Sequence, residues 1–408
     1  MRILFLSQVL PYPLDAGPKV RSYFVLRRLV QQHQVTLLTF VRNTDRPEDI
    51  AHLPEFCHAV HTVPMGRSRL RDARFLTQSL LTGHPFLILR DRVPAMFTEI
   101  ERLFRSEQFD VVHADQLWMA QYALAAKAAS PQARLILDQH NAVHLIPRRL
   151  AGDAANPLKR IFLEHEARAL AVYETEVCRL FDHVVWVTAE DREAVAAVSG
   201  GAAKGGTAST VIPICADTDL VSVVEPATKR SRITFLGGLH WPPNAEGILW
   251  FAKHVFPQVR AEIANAALTV IGKNPPAGLD GKGVEVTGYV SELTPYLAET
   301  GAFIVPLHAG GGMRVKILDA WSWGLPVVST AIGAEGIKVH PGEDILIADT
   351  AQEFSQAVIR VLKEPTLAQH LAQNGRRTVT KEYDWRVVYP AWDIVYDGLS
   401  RSKPAGIE

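Results

Sequence analysis

Cysteine is scarce in this sequence, and what there is does not pair. Cys57, Cys178 and Cys215 stand far apart, and no Cys-x-x-Cys occurs. That speaks against a disulfide framework or a cysteine zinc site and fits a reducing compartment. Long hydrophobic runs are missing as well. No segment approaches the roughly 18 apolar residues of a membrane-spanning helix. Met1 to Ser7 opens like a signal peptide, but its apolar core is short and Gln8 and Pro11 interrupt it. A first buried strand is the better reading. Neither sign of charge dominates. The 43 basic and 43 acidic residues cancel, so nothing global points to nucleic acid. The first glycine-containing loop lacks G-x-G-x-x-G, which disfavours a nicotinamide dinucleotide.

What is present reads as α/β. The 408 residues, 48% apolar and 21% charged, suit a globular chain of two domains. Ile3 to Leu6 is a short apolar run, and Val35 to Val41 is another. Between them Val20, Tyr23, Phe24, Leu26, Leu29 and Val30 recur at helical spacing. This βαβ opening predicts a parallel sheet. Gly17 and Lys19 sit in the loop at the C-terminal end of the first strand, where a ligand crevice lies in such sheets, although a Gly–Pro loop is also an ordinary turn.

Two further strands end in polar, ionisable residues. Val111 to His113 leads to Asp115, and Leu135 to Leu137 leads to Asp138-Gln139-His140-Asn141. Active-site side chains occupy that position in open α/β sheets, so Asp115, Asp138 and His140 are candidate site residues. Glu164, His165 and Glu166, on a long helix from Asn156 to Leu180, lack zincin spacing. The two glutamates read as helix surface. Met65 to Leu81 carries Arg67, Arg69, Arg71 and Arg74 against Asp72 alone, with leucines interleaved. It is either a surface for anionic lipid or a solvated face over a core stripe.

Ser199 to Thr210 has the composition of a linker. A second α/β series follows it. Its strands, Arg232 to Leu236, Ala267 to Ile271 and Val284 to Val286, run into Gly237-Gly238, Gly272-Lys273 and Gly288-Tyr289-Val290. A helix is expected over Pro243 to His254, and a last one over Tyr383 to Leu399. Asp217 and Asp219 form an Asp-x-Asp pair, but no third carboxylate stands nearby to shape a Mg²⁺ site. No metal site is expected.

The strongest chemical signal is the stretch from Pro306 to Gly336. A strand runs into Gly310-Gly311-Gly312-Met313, and a helix opens with Arg314 and Lys316 in its first turn and Asp319 on its second. Glycine backbone N–H groups and a helix N-terminus suit a phosphate. Cations there conflict with the helix dipole unless an anion is bound. The alternative is a plain strand–turn–helix.

These residues resemble a known family. Gly310 to Thr330 with Gly333 and Gly336, supported by Gly237-Gly238, Gly288 to Val290, Val211 to Asp219 and Asp138-x-His140-Asn141, is similar to the family 4 retaining glycosyltransferases of GT-B fold. Within that family the chain looks closest to a bacterial subset associated with exosortase and exopolysaccharide systems. The resemblance implies two facing Rossmann-like domains with an interdomain cleft. Residues 1–210 would form the acceptor-side domain, joined by a final helix at 384–400, and residues 211–383 the nucleotide-sugar domain.

The resemblance also implies roles. The family's Glu-x₇-Glu pattern places its second carboxylate on Asp319, for the ribose hydroxyls. Its first falls on Gly311, so the usual carboxylate to the donor sugar is absent. The usual cation after Gly237-Gly238 is absent too, and Arg314 and Lys316 would replace it at the diphosphate, with Gly311, Gly312 and Met313. Gly288, Tyr289 and Val290 would hold the base and His140 the donor sugar, while Gly17, Lys19, Asp115 and Asp138 would lie on the acceptor side. The expected reaction is retaining, metal-independent transfer from a nucleoside diphosphate sugar, without a cofactor, to a glycan or lipid-linked hydroxyl. The expected place is the cytoplasm or the inner face of the membrane, with residues 65–81 on anionic lipid. A nucleotide-sugar epimerase and a non-catalytic glycan-assembly subunit are the rival readings.

Overall fold

A computed structural model of the chain describes residues 1–152, 154, 156–198, 207–224 and 231–401. They divide into two compact units, Met1–Ile214 with Val388–Glu408, and Cys215–Val387. The first unit holds seven strands: β1 (Arg2–Ser7), β2 (Gln34–Val41), β3 (Ala59–Pro64), β4 (Val111–Asp115), β5 (Arg134–Gln139), β6 (His183–Trp186) and β7 (Ala208–Val211). All pairs are parallel, in the order β3-β2-β1-β4-β5-β6-β7. Crossover helices bury a parallel sheet on both faces, which is why Ile3 to Leu6 and Leu135 to Leu137 are apolar without alternation and fully buried.

The order reverses between β1 and β4. There the register sets Ser7 beside Asp115 and Asp115 beside Asp138. Such a switch point opens a crevice at the carboxyl ends of the strands.

The second unit repeats the winding. Its strands are β8 (Arg232–Leu236), β9 (Ala267–Ile271), β10 (Val284–Gly288), β11 (Thr300–Val305), β12 (Val327–Ser329) and β13 (Leu346–Ile347), all parallel in the order β10-β9-β8-β11-β12-β13. Its switch point lies between β8 and β11. The turns after β8 and β9 meet backbone to backbone: a Cβ on Gly272 would stand 1.9 Å from the Gly237 carbonyl oxygen.

Several local expectations are corrected. The last helix is not continuous from Tyr383. A short helix Trp385–Val388 is followed by Pro390–Arg401, because Pro390 lacks an N–H and disfavours the α conformation at Tyr389. The helix expected from Pro243 starts at Pro242 and widens to a π turn over Phe251–Val255 before resuming at Phe256. Pro257 would otherwise clash with the preceding turn. Residues 199–206 of the linker-like stretch lie outside the described residues, whereas Ala208 to Thr210 belong to β7. Glu166 is not surface. It is 2% exposed and accepts the backbone N–H groups of Phe86 and Leu87 at 2.8 and 2.9 Å, which supplies partners for a helix start.

Candidate active site

In the first unit Asp115, Asp138 and His140 come together at the switch point. Asp115 Oδ1 accepts His140 Nε2 at 2.8 Å, and its Oδ2 accepts the hydroxyls of Ser7 and Ser22 at 2.8 and 2.7 Å. Asp138 receives a two-pronged bond from Arg21, Nε at 2.9 Å and Nη2 at 2.8 Å. The third nitrogen of Arg21 donates to the carbonyls of Ile212 and Pro213 at 2.7 and 2.9 Å, and the guanidinium packs on the rings of Tyr389 and Trp392. Arg21, Asp115 and Asp138 are each 0% exposed.

Burial alone would raise the Asp138 carboxyl, but Arg21 beside it holds it well below the usual range. Burial would likewise lower His140, yet the Asp115 and Asp138 carboxylates raise it to about 9. His113 goes the other way. Desolvation takes it down to about 4, and its Nδ1 meets the Tyr396 hydroxyl at 2.8 Å. Asp115, Asp138 and His140 bring ligand-type atoms within 4.8 Å of one another. A guanidinium on one carboxylate and three donors on the other make this a salt-bridged cluster rather than a cation site. Asp115 and Asp138, expected on the acceptor side, are fully buried and touch His140 and Arg21. Gly17 opens the helix Gly17–Leu29, and Lys19 is neutralised locally by Asp15 at 2.9 Å.

The loop carrying His140 is anchored by residues the sequence did not single out. Glu174, 0% exposed on the helix Pro157–Cys178, accepts the N–H groups of Val143 and His144 at 2.7 and 3.1 Å and the His144 ring at 2.6 Å. Asp191 accepts the Ala142 N–H at 2.8 Å. Arg21 was missed as well. Its signal was a charge on the apolar stripe of the first helix, next to Val20 and one turn before Phe24 and Val25.

In the second unit the glycine turn after β11 leads into the helix Val315–Ser322. Gly310 and Gly312 have φ of 131° and 70°, a region that strains any residue with a Cβ. Arg314 is the N-cap residue, and its guanidinium folds back on the turn, bonding the carbonyls of Gly311 and, at 2.7 Å, Gly312. Its place at a helix start therefore has a local explanation.

Lys316 does not bond the turn. Its Nζ donates to Asn244 Oδ1 at 2.8 Å and lies 4.4 Å over the Phe235 ring. Asn244 in turn donates to the Gly238 carbonyl at 2.9 Å, and a Cβ on Gly237 would come 2.7 Å from Lys316 Nζ. Asn244 thus ties the Gly237-Gly238 loop to Lys316, another residue without an expected role. Desolvation and the charge of Arg314 push Lys316 down to about 7. Desolvation pushes half-buried Asp319 up to about 7 against the pull of Lys316, with no hydrogen bond from the described residues to favour its charged form. Met313 is buried. At the end of β10, Gly288 has φ of 71°, Tyr289 is exposed under the Lys273 ammonium at 4.3 Å, and Val290 is half-buried. Asp217 and Asp219 are bridged at 3.5 and 2.5 Å by Arg386, which also pairs with Asp384 at 2.8 Å, so a guanidinium already occupies the Asp-x-Asp pair.

Two Rossmann-like α/β domains, each with polar residues gathered at its switch point, have the architecture of the GT-B fold. Residues 17–220 match the family described as Glycosyltransferase Family 4, and residues 230–364 match Glycosyl transferases group 1. The chain belongs to glycosyltransferase family 4. It is 23% identical over 404 residues to an uncharacterized 44.6 kDa protein in the cps region of Klebsiella pneumoniae, covering 95% of this chain and 98% of that one. It is 27% identical over 129 residues to the lipopolysaccharide core biosynthesis glycosyltransferase LpsE of Rhizobium meliloti, 31% of this chain and 36% of LpsE. Among solved structures, Anabaena HepE in complex with UDP-glucose superposes with a TM-score of 0.65 at 14% identity, over 98% of this chain and all of that one. A mutant of Staphylococcus aureus TarM, in complex with fondaparinux, alpha-GlcNAc-glycerol and UDP, gives 0.64 at 8% identity over 98% of this chain and 100% of that one.

Proposed function

We propose that this glycosyltransferase moves a sugar from a nucleoside diphosphate sugar to a hydroxyl acceptor, with retention and without a metal ion, in the synthesis of a bacterial surface polysaccharide or glycolipid. The observation that carries the reading is the pair Lys316 and Asp319 on the helix after the Gly310–Gly312 turn: a desolvated cation and a carboxylate without hydrogen-bond partners among the described residues. A nucleoside diphosphate answers both. Its phosphates meet Lys316, the N–H groups of Gly311, Gly312 and Met313 and the helix dipole. Its ribose hydroxyls donate to Asp319. Gly237 and Gly238 border the phosphates, and Gly288, Tyr289 and Val290 hold the base. HepE, solved with UDP-glucose, and the cps and lipopolysaccharide settings of two relatives support the donor and product classes.

In this reading His140 is the catalytic hydrogen-bond donor to the sugar. Lys316 stabilises charge on the departing diphosphate, and Arg314 keeps the turn that presents the N–H groups. Asp115 and Asp138 are tied to protein donors, so neither serves as nucleophile and attack comes from the leaving-group face. Gly17 and Lys19 border the acceptor. No helix among the described residues is long and apolar enough to cross a membrane. The helix Arg69–Thr82 exposes Leu70, Leu80 and Leu81 among its arginines, which suits an anionic lipid surface and a lipid-linked acceptor.

The test is release of nucleoside diphosphate from a panel of nucleotide sugars, with and without acceptor extracts and EDTA, and NMR of the product's anomeric centre. Acceptor-dependent release that persists in EDTA with the donor's configuration kept is the expected result. Conversion of donor without acceptor would make the enzyme an epimerase. Activity lost in EDTA and restored by Mn²⁺ would end the metal-free mechanism.

A further inference from the structure

We propose that Arg21 is a positioning residue for His140. By binding both oxygens of Asp138 it leaves Asp115 as the hydrogen-bond partner of the His140 ring and fixes that ring as a double N–H donor, its Nδ1 without a partner among the described residues. The inference rests on the reading of His140 as a donor-sugar contact.

The geometry is specific. His140 Nε2 is 2.8 Å from Asp115 Oδ1 but 3.7 Å from Asp138 Oδ2. Two nearly equivalent carboxylates would compete for one N–H. Arg21 removes the competition by filling Asp138, and its fork is itself held by the carbonyls of Ile212 and Pro213. Lysine lacks that planar two-pronged fit. The hydroxyls of Ser7 and Ser22 fill Asp115 Oδ2, so only Oδ1 is left for the ring. His140 Nδ1 has no hydrogen-bond partner among the described residues, although the ring is 6% exposed. A buried donor left unmatched is costly unless a ligand meets it.

Charge counting agrees. The groups facing the ring are Asp115 and His113 from β4, Asp138 from β5 and Arg21 from the first helix, with Tyr396 behind His113. With His113 neutral, the two carboxylates balance Arg21 and a protonated His140. A neutral His140 would leave one uncompensated negative charge in a low-dielectric site. The ring accordingly holds its proton to about pH 9. His140 therefore donates to an acceptor oxygen of the donor sugar and is not a general base.

The experiment is NMR of histidine side chains in ¹⁵N-labelled, ligand-free protein, combined with donor kinetics. In the wild type, His140 should carry hydrogen on both nitrogens at pH 7.5. A neutral ring at that pH overturns the proposal with no variant needed. In Arg21→Gln the His140 signals should shift as Asp138 competes for Nε2–H, and the KM for the donor should rise about tenfold, the weight of one charge-assisted hydrogen bond. Arg21→Lys should recover part of that loss. Unchanged signals and an unchanged KM in Arg21→Gln would overturn the assignment. If Arg21→Gln fails to fold, Asp115→Asn decides: the His140 titration midpoint should fall by more than one pH unit, and an unmoved midpoint refutes the network. His140→Ala separates the two readings. Full transfer by that variant refutes the donor contact, while the wild-type spectrum still reports on Arg21.

Discussion

The charged groups at the two switch points differ in how far the protein itself satisfies them. In the first unit every carboxylate oxygen of Asp115 and Asp138 has a donor, and the fully buried Arg21 is spent on Asp138 and two carbonyls. In the second unit Lys316 has one neutral partner, Asn244, and Asp319 has none among the described residues, and both are pushed toward their uncharged forms, to about 7. One cluster has its carboxylates and guanidinium satisfied by the protein and fixes a geometry, with His140 Nδ1 left for a ligand. The other is incomplete and gains from a ligand that brings the missing charge and donors. Preorganisation and ligand demand are thus divided between the two units, and substitutions in each should fail in different ways.

The largest effect is expected from breaking the cluster of the first unit. Asp138→Ala strands the Arg21 guanidinium at a position with no exposed surface. Removing one partner of a buried pair costs about 3–5 kcal/mol, so thermal unfolding should shift down by many degrees. The double variant Arg21→Met/Asp138→Leu should regain much of that stability, since a packed apolar pair replaces the stranded charge. A thermal melt of the two variants is the check, and equal losses in both would argue against the ion pair as the cause.

Lys316→Ala should behave in the opposite way. Its depressed pKa means that folding already disfavours the charged form, so removal should leave the melting temperature near that of wild type. Turnover should instead fall about 10²–10³-fold, the usual cost of losing one group that stabilises transition-state charge. If Lys316→Ala and Arg314→Ala both kept wild-type rates, the phosphate assignment would be wrong. A smaller loss belongs to Asp319→Asn. It removes the charge that the ribose hydroxyls would meet, and donor affinity measured by calorimetry should weaken about tenfold, as for a hydrogen bond to a charged group.

How far these roles could be read beforehand depends on the distance over which each is decided. Strands buried on both faces advertise themselves as unbroken apolar runs, so the residues at their ends, Asp115, Asp138 and His140 or Gly237 and Gly288, are located by local pattern alone. The glycine turn and the offset from Gly311 to Asp319 are local too. Pairings across the fold are not. Arg21 meets Asp138 across 117 positions, and Lys316 meets Asn244 across 72. Neither spacing has a periodicity to betray it. Arg314 reads two ways for a different reason: a cation at a helix start implies an anion, but carbonyl oxygens two and three residues back also bind it. Glu166 looked like helix surface because the helix Phe86–Arg90 that it caps is distant in sequence.

The finest test of the comparison is the pH dependence of nucleoside diphosphate binding. Lys316 titrates near 7 in the free protein, and a bound diphosphate raises its pKa, so binding takes up a proton above pH 7. That contribution weakens affinity as pH rises, by at most about tenfold per pH unit for one coupled proton. Asp319 also titrates near 7, but ribose hydroxyls that donate to it favour the carboxylate, so its contribution strengthens affinity as pH rises toward 7 and adds no slope above it. The window from about pH 7 to 9 lies above the second ionisation of a phosphate, near 6, so the ligand itself adds little slope. Wild-type affinity for UDP should therefore fall as pH rises across it. Asp319→Asn leaves the lysine in place and should keep that fall, whereas Lys316→Met should abolish it. Isothermal titration in buffers of different ionisation enthalpy reads the proton count directly. Equal slopes in the two variants would show that neither group meets the nucleotide, and the incomplete cluster of the second unit would need another ligand.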